Sequence, residues 1–81
     1  MRVRVRLFAS LRETVGVPER ALDLAPESTA EDAWGRLVSD IPALGPRRAS
    51  LAAAVNRRYA PFDTALQDGD EVAFIPPVSG G

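Results

Sequence analysis

The 81-residue sequence contains no cysteine and no histidine, and all ten of its basic residues are arginine, so lysine is absent as well. Without cysteine there is no disulfide, no thiolate nucleophile and no cysteine-based metal site. Without histidine the chain lacks the commonest general base and metal ligand. Without lysine there is no side-chain amine for a Schiff base or an isopeptide bond. The reactive groups that remain are acidic side chains, arginines and the terminal carboxylate, which argues against a self-sufficient enzyme.

Two further absences and the net charge exclude other classes of protein. No run of about 18 apolar residues is present, so no membrane-spanning helix is predicted. The start of the chain alternates arginine with valine over residues 2–6 and therefore does not resemble a signal peptide, which makes the cytoplasm the expected compartment. The formal net charge of −1 argues against nucleic acid as the main partner, because phosphate binding needs a basic excess.

The remaining composition is that of one small globular domain, with 46% hydrophobic and 26% charged residues. Residues 2–9 alternate at the strand period of two, and residues 20–24 form a second short strand, which predicts a loose antiparallel hairpin. Between them, Ser10 and Glu13 have the spacing of a capping box, so a short helix capped by Ser10 is expected there. Gly16 is expected to end it.

One amphipathic helix dominates the middle of the chain. Either Ser28 with Glu31 or Thr29 with Asp32 can cap its first turn. Its apolar stripe places Trp34 in the core, and Pro42 ends it. The stripe consists of Ala30, Ala33, Trp34, Leu37, Val38 and Ile41.

The second half of the chain is predicted to hold two strands. Residues 42–50 have the composition of a surface loop, with a solvated Arg47-Arg48 pair. A third strand covers residues 51–55, a turn covers residues 56–59, and the segment after it is expected to be irregular. A strong turn signal at residues 68–70 then precedes the last strand, residues 71–75.

The order of elements is strand, strand, helix, strand, irregular segment, strand. A single amphipathic helix covers only one face of a small sheet. We therefore predict an α+β fold, a ubiquitin-like β-grasp roll whose first and last strands lie parallel in the middle of a mixed sheet. The expected division of the chain is a β-grasp domain at residues 1–76 and an extended Gly-Gly tail at residues 77–81.

The face of the sheet without a helix carries the candidate binding residues. If Val3, Val5 and Leu7 face the helix, the period of two places Phe8 on the other side, and Ile75 falls there too. An exposed patch of Phe8 and Ile75, joined by Tyr59, indicates a protein-binding surface; the alternative is that Phe8 folds over the sheet edge into a minor core.

Four arginines lie around this patch. Arg2, Arg4 and Arg6 are expected on a solvated strand face, paired in part with Asp23 and Glu71, rather than forming a phosphate-binding stripe. Arg12 follows Phe8 and could bind a partner's carboxylate or the backbone of the tail.

The chain ends in Pro76-Pro77-Val78-Ser79-Gly80-Gly81. Prolines stiffen this segment, and the last two residues have no side chains, so it suits insertion into a narrow channel of another protein. A frayed terminus is the other interpretation, because most chain ends are frayed.

Three segments together resemble the small, sulfur-carrying subunit of molybdopterin synthase, a member of the ubiquitin-like sulfur carrier family. They are residues 7–13 (Leu-Phe-Ala-Ser-Leu-Arg-Glu), residues 51–56 (Leu-Ala-Ala-Ala-Val-Asn) and above all residues 68–81, from Asp-Gly-Asp to Pro-Pro-Val-Ser-Gly-Gly. The resemblance covers nearly the whole chain. Ile75 stands where an aromatic residue is also familiar in the family.

This resemblance implies that Gly81 is the reacting residue. An ordinary terminal carboxylate has a pKa of about 3.5 and is a poor electrophile at neutral pH. A ubiquitin-activating-like enzyme would use ATP to form an acyl-adenylate at Gly81, and a sulfur donor, such as a cysteine desulfurase or rhodanese, would leave a thiocarboxylate. The carrier itself would bind no cofactor and no metal ion.

The resemblance also implies the partner and the roles of the remaining residues. The large subunit of a heterotetrameric synthase would receive the tail and add the sulfur to a cyclic pterin. Gly80 would be the narrow part of the tail, and the stem before it would consist of Pro76, Pro77, Val78 and Ser79. The residues expected to dock on the partner are Phe8, Arg12, Tyr59 and Ile75.

Three other functions stay open at this point. A sulfur carrier for thiamine synthesis or tRNA thiolation would share the tail and differ only in the enzyme served. A ubiquitin-like modifier would join Gly81 to lysines of target proteins. A plain interaction domain would have an inert tail.

Overall fold

The computed structural model describes residues 1–77; the tail residues 78–81 named above lie outside this range. It contains five strands, two α-helices and one 3₁₀ helix. In chain order these are β1 (Arg2–Leu7), α1 (Ala9–Val15), β2 (Glu19–Asp23), α2 (Ala30–Asp40), the 3₁₀ helix (Pro42–Ser50), β3 (Ala52–Val55), β4 (Arg58–Ala60) and β5 (Glu71–Ile75).

The strands form one mixed sheet in the order β2-β1-β5-β3-β4. The first and last strands are parallel neighbours in its interior, with Arg4 level with Glu71 and Leu7 level with Phe74. The other pairings, β1 with β2, β3 with β5 and β3 with β4, are antiparallel. This topology with one main helix is the β-grasp fold, and the predicted fold class is confirmed.

The core lies between the sheet and α2. Alternation along β1 and β5 buries Val3, Val5, Leu7, Val72 and Phe74 completely or almost so. The Phe74 ring packs against two other aromatic rings, with centroid distances of 5.1 Å to Trp34 and 5.9 Å to Phe62. Removing each large side chain from water contributes roughly 1.5–3 kcal/mol, so this aromatic cluster is a main source of stability. The buried residues of α2 are Ala30, Ala33, Trp34 and Leu37.

Helix α2 begins with a capping box made by Thr29 and Asp32. The Asp32 backbone N–H donates to Thr29 Oγ1 at 3.2 Å, and the Thr29 N–H donates to Asp32 Oδ2 at 2.8 Å. Of the two predicted caps, this one is therefore confirmed and Ser28 with Glu31 is wrong. Ser28 instead donates its hydroxyl to the Ala25 carbonyl oxygen. The helix ends before Pro42, as predicted.

Helix α1 exists, but its predicted cap is wrong. The N-cap residue is Phe8, which makes no side-chain capping bond. Because the helix already begins at Ala9, Ser10 lies inside its first turn, and its hydroxyl accepts a hydrogen bond from Arg47 Nη2 instead. Gly16 ends the helix as predicted; its φ of 93° lies in the left-handed region, where glycine costs least.

Two parts of the second half differ from prediction. Residues 42–50 are a 3₁₀ helix rather than a surface loop, and Leu44 within it is fully buried. The turn predicted at residues 56–59 is limited to Asn56 and Arg57, both with positive φ, and the short strand β4 follows it and pairs with β3. Such a turn suits the twist of a hairpin, but a three-residue strand is too short for alternation to reveal it.

Candidate docking face

The face of the sheet opposite α2, here called the open face, has three rows of side chains. The register of β1, β5, β3 and β4 sets which residues share a row. The upper row, where β5 ends, consists of Phe8, Ile75 and Ala52. The middle row consists of Arg6, Ala73, Ala54 and Tyr59, and Glu19 of β2 extends it beside Arg6. The lower row consists of Arg4, Glu71 and Arg57.

The upper part of the open face is apolar and accessible. Phe8 is 39% exposed and Tyr59 is 77% exposed. Beside them lies a groove of about 350 Å³, located where the chain leaves β5 toward the tail. It is lined by Ser50, Leu51, Ala52, Tyr59, Ile75, Pro76 and Pro77. The structure thus brings Tyr59 and Ile75 together at one groove with the two stem prolines.

Phe8 lies on the open face and not in a minor core. It directly follows Leu7, which is level with Phe74, so it stands level with Ile75. The Arg6 guanidinium lies 5.5 Å from the centroid of the Phe8 ring. Ala9, the next residue, has a positive φ of 49° that turns the chain from β1 into α1. The backbone therefore changes direction directly after Phe8, whose neighbour in the upper row, Ile75, lines the groove.

The lower part of the open face is charged. Glu71 is only 7% exposed, and its carboxylate lies 3.7 Å from Arg6 Nη1 and 3.6 Å from Arg57 Nε. The predicted pairing of the β1 arginines with Asp23 and Glu71 is confirmed: Arg2 pairs with Asp23, at 3.3 Å, and Arg6 pairs with Glu71. The contact of Arg57 with Glu71 was not predicted, because residue 57 was assigned only to a turn.

Arg12 is exposed on α1, and among residues 1–77 its guanidinium forms no ion pair or side-chain hydrogen bond. Its role in binding stays a prediction. The predicted tail residues Val78, Ser79, Gly80 and Gly81 lie outside the described residues, so the structure places none of them.

The described residues hold no other site of obvious chemistry. Among residues 1–77 no group of three acidic side chains lies close enough together to hold a metal ion. In the same part of the chain, neither α-helix has the length and hydropathy needed to cross a bilayer. The open face and the groove at its upper end are therefore the candidate site for function.

Comparison with known proteins agrees with this arrangement. The profile of the ThiS family matches residues 5–81. The chain is 41% identical over 83 residues to the molybdopterin synthase sulfur carrier subunit of Chlamydomonas reinhardtii, and the alignment covers 100% of both chains. It is 42% identical over 82 residues to the subunit of the same name from Escherichia coli (strain K12), covering 98% of this chain and 99% of that one.

Solved structures show the same fold. The crystal structure of SAMP1, the small archaeal modifier protein 1 of Haloferax volcanii, superposes with a TM-score of 0.90 at 32% identity, and 100% of each chain is covered. The assignment of this chain to a family rests on the family profile and on the full-length relatives. This chain belongs to the ThiS family, and its resemblance to molybdopterin synthase sulfur carrier subunits is confirmed along its whole length.

Proposed function

We propose that this chain is a sulfur carrier for molybdenum cofactor biosynthesis, and that it delivers sulfur as a thiocarboxylate at Gly81. The observation that carries the proposal is the end-to-end similarity to proteins named molybdopterin synthase sulfur carrier subunit. The geometry supports it, because β5 runs through the interior of the sheet and leads directly into Pro76 and Pro77 beside an apolar groove.

The chemistry requires activation, because a terminal carboxylate is an anion at neutral pH. In the proposal an adenylating partner joins the Gly81 carboxylate to the AMP moiety of ATP and releases pyrophosphate. Hydrosulfide, or a sulfur donor that acts as its equivalent, then attacks the acyl carbon. A carbon–sulfur bond forms, the bond to AMP breaks, and AMP leaves.

The chain's own contribution is binding and presentation. Its sequence has no histidine, cysteine or lysine, so the partners supply base, thiol and nucleotide site. In this proposal the chain is a subunit of the synthase and not an enzyme by itself, and it works in the cytoplasm. The docking residues are Phe8, Arg12, Tyr59 and Ile75 on or beside the open face, and the large subunit receives residues 76–81.

Intact mass spectrometry tests the proposal directly. The full chain is incubated with its adenylating enzyme, ATP and sulfide, and a fraction should gain the mass difference between sulfur and oxygen at the terminus. Incubation without ATP is the control. An unchanged mass in the complete reaction would contradict the sulfur-carrier function.

A variant lacking Gly80 and Gly81 gives a second test. We expect it to lose all thiocarboxylate formation and all support of molybdopterin synthesis, while its urea unfolding curve matches that of the full chain. Full activity of the truncated chain would instead indicate a plain interaction domain.

A ubiquitin-like modifier is the second candidate function. The observation in its favour is the similarity to small archaeal modifier protein 1, with a TM-score of 0.90. A modifier would leave Gly-Gly remnants on lysines of target proteins, which peptide mass spectrometry detects after capture of the tagged chain. A carrier used only for sulfur delivery leaves none.

Carriers for thiamine synthesis or tRNA thiolation remain alternatives within the same chemistry. Deleting the gene and assaying molybdoenzyme activity, thiamine dependence and tRNA thiolation separately distinguishes them. Normal molybdoenzyme activity, in a genome without a second copy, would exclude the pathway proposed here.

A further inference from the structure

The middle row of the open face has two small residues between two long side chains. Ala54 and Ala73 face each other in the register of β3 and β5, and their exposed fractions are only 6% and 8%. Arg6 rises from β1 on one side, and Tyr59 rises from β4 on the other. Because the two alanines are already almost covered, a protein that covers this face meets the side chains of Arg6 and Tyr59 rather than the alanine methyl groups.

The charges around this row do not balance. Three arginines, Arg4, Arg6 and Arg57, share this part of the open face with two carboxylates. Glu71 contacts Arg6 and Arg57, at 3.7 Å and 3.6 Å, and Glu19 is level with Arg6 on β2, so one positive charge is in excess. Within residues 1–77 neither the Arg6 nor the Arg57 guanidinium forms a hydrogen bond, although each has five N–H donors. Tyr59 is 77% exposed, and its hydroxyl likewise has no hydrogen-bond partner among residues 1–77. Donors and positive charge are thus available at the same place.

This excess charge constrains what can cover the open face. A partner that covered the face with apolar groups alone would bury an uncompensated positive charge, which is costly. A second copy of this chain would bring an equal positive charge to the same place. A carboxylate would neutralise the charge and accept hydrogen bonds from Arg6 and Tyr59.

We infer that the middle row, at Arg6 and Tyr59, binds an aspartate or glutamate side chain of the protein on which the open face docks. The inference rests on the proposed function, in which that protein is the molybdopterin synthase large subunit. Glu71 acts as a positioning residue, because it draws Arg6 and Arg57 inward over the sheet and keeps their mutual repulsion low. The apolar groove then supplies contact area, and the acidic residue sets where the partner docks.

The test measures binding of the full chain to the large subunit from the same organism at several salt concentrations. We expect Arg6→Gln and Arg57→Gln each to raise the Kd about tenfold and to make the Kd less dependent on salt. Arg58→Gln is the matched control, since it removes the same charge from the neighbouring position. Arg58 is paired with Val55, which packs against the core side of the sheet, so its Kd should stay within about twofold of wild type.

A charge swap identifies the acidic residue. Arg6→Glu should abolish detectable binding, and one Asp→Lys or Glu→Lys substitution on the large subunit should restore it. Thermal unfolding of each variant shows whether it is folded, and Arg57→Gln, at an exposed turn, keeps the test valid if Arg6→Glu does not fold. Failure of every acidic-to-lysine substitution to rescue a folded Arg6→Glu would overturn the inference.

The outcomes separate the inference from the proposed function. If the wild-type chain binds the large subunit and delivers sulfur, but Arg6→Gln and Arg57→Gln bind as tightly as Arg58→Gln, the inference alone is wrong. If the wild-type chain does not bind the large subunit, the proposed function is wrong and the inference falls with it. Self-association of the chain that Arg6→Gln abolishes would assign the face to a second copy and would also overturn it.

Discussion

Arg48 connects three parts of the chain through one side chain. Its Nε and Nη2 atoms donate to both carboxylate oxygens of Glu31 on α2, at distances of 2.7–3.0 Å. Its guanidinium also lies 3.4 Å from the centroid of the Phe62 ring, which in turn packs against Phe74. The 3₁₀ helix is therefore attached to α2 and to the segment before β5 by a bidentate ion pair and a cation–π contact.

This ion pair makes stability depend on pH. The hydrogen bond from Arg48 lowers the pKa of Glu31 below its ordinary value. Glu31 thus stays ionised to lower pH in the folded protein than in the unfolded chain. The stabilisation is fully present above the unfolded pKa of about 4.3 and is lost as the pH falls through the lowered folded value.

We therefore expect Glu31→Gln to lower the free energy of unfolding by up to about 1 kcal/mol at pH 7, a small loss because the pair is partly exposed. The difference from wild type should shrink as the pH falls from 5 toward 3. Urea unfolding over this pH range measures it. A difference that stays constant at low pH would show that the loss has a cause other than the ion pair.

Asn56 holds the β3–β4 turn against the turn before β5. Its Nδ2 donates to Asp70 Oδ1 at 2.9 Å, and its Oδ1 accepts from the Glu71 N–H at 3.0 Å. Its φ of 50° is in the left-handed region, which costs most side chains about 1–2 kcal/mol. Asn56 therefore supplies two interactions and also tolerates the backbone geometry.

Two substitutions separate these roles. Asn56→Gly loses the side-chain hydrogen bonds, but glycine adopts the left-handed backbone conformation without strain. Asn56→Ala loses the same hydrogen bonds and also strains the backbone at this position. We expect both to lower the free energy of unfolding, with Asn56→Ala less stable than Asn56→Gly by about 1 kcal/mol in urea denaturation. Equal stability of the two variants would exclude backbone strain as a factor.

Residue-scale features were the least predictable part of the structure. Alternation in the sequence placed Phe8 and Ile75 on the correct face, because it depends only on neighbouring residues. The partners of Arg48 and Arg57 were not predicted, because Glu31 and Glu71 come next to them only through the fold. The near-complete burial of Glu71 has the same origin, since its covering arginines lie 65 and 14 positions away.

At the scale of elements, the start of α2 is the most sharply defined boundary. Thr29→Ala removes the capping-box acceptor, so we expect it to lower the free energy of unfolding by about 1 kcal/mol. Ser28→Ala is the control, because Ser28 makes only a local bond to Ala25 and does not cap the helix. A larger loss in Ser28→Ala than in Thr29→Ala would contradict the assignment of the cap.

Long elements with a regular sequence pattern were predicted well, and short elements were not. Helix α2 repeats its apolar stripe over three turns, and β1 alternates over six residues, so each pattern is unambiguous. The strand β4 has three residues and the 3₁₀ helix contains Pro46 and Gly45, which resemble loop signals. Leu44 was the one clue to order in that segment, because a large apolar side chain is usually buried.

At the scale of the whole molecule, stability depends on the centre of the sheet. Phe74→Ala would leave a cavity beside Trp34 and Phe62, and we expect a loss of about 3–5 kcal/mol in the free energy of unfolding. Such a loss is large for a small domain and should strongly lower the midpoint of urea unfolding, measured by circular dichroism. Phe8→Ala is the matched control, since Phe8 is exposed and its removal should change the midpoint little.

The central position of β5 also has a consequence for how the protein is made. β1 pairs with β5 across 67 positions of sequence, as in the register of Arg4 with Glu71, and β3 lies on the other side of β5. While the chain is still on the ribosome, β1 and β3 have no strand between them to complete the sheet. We therefore expect the sheet to form only once β5 has been synthesised, at the slower rates typical of sheets with non-local pairing. Because β5 directly precedes residues 76–81, the sheet and the reactive end proposed here are completed in the same step.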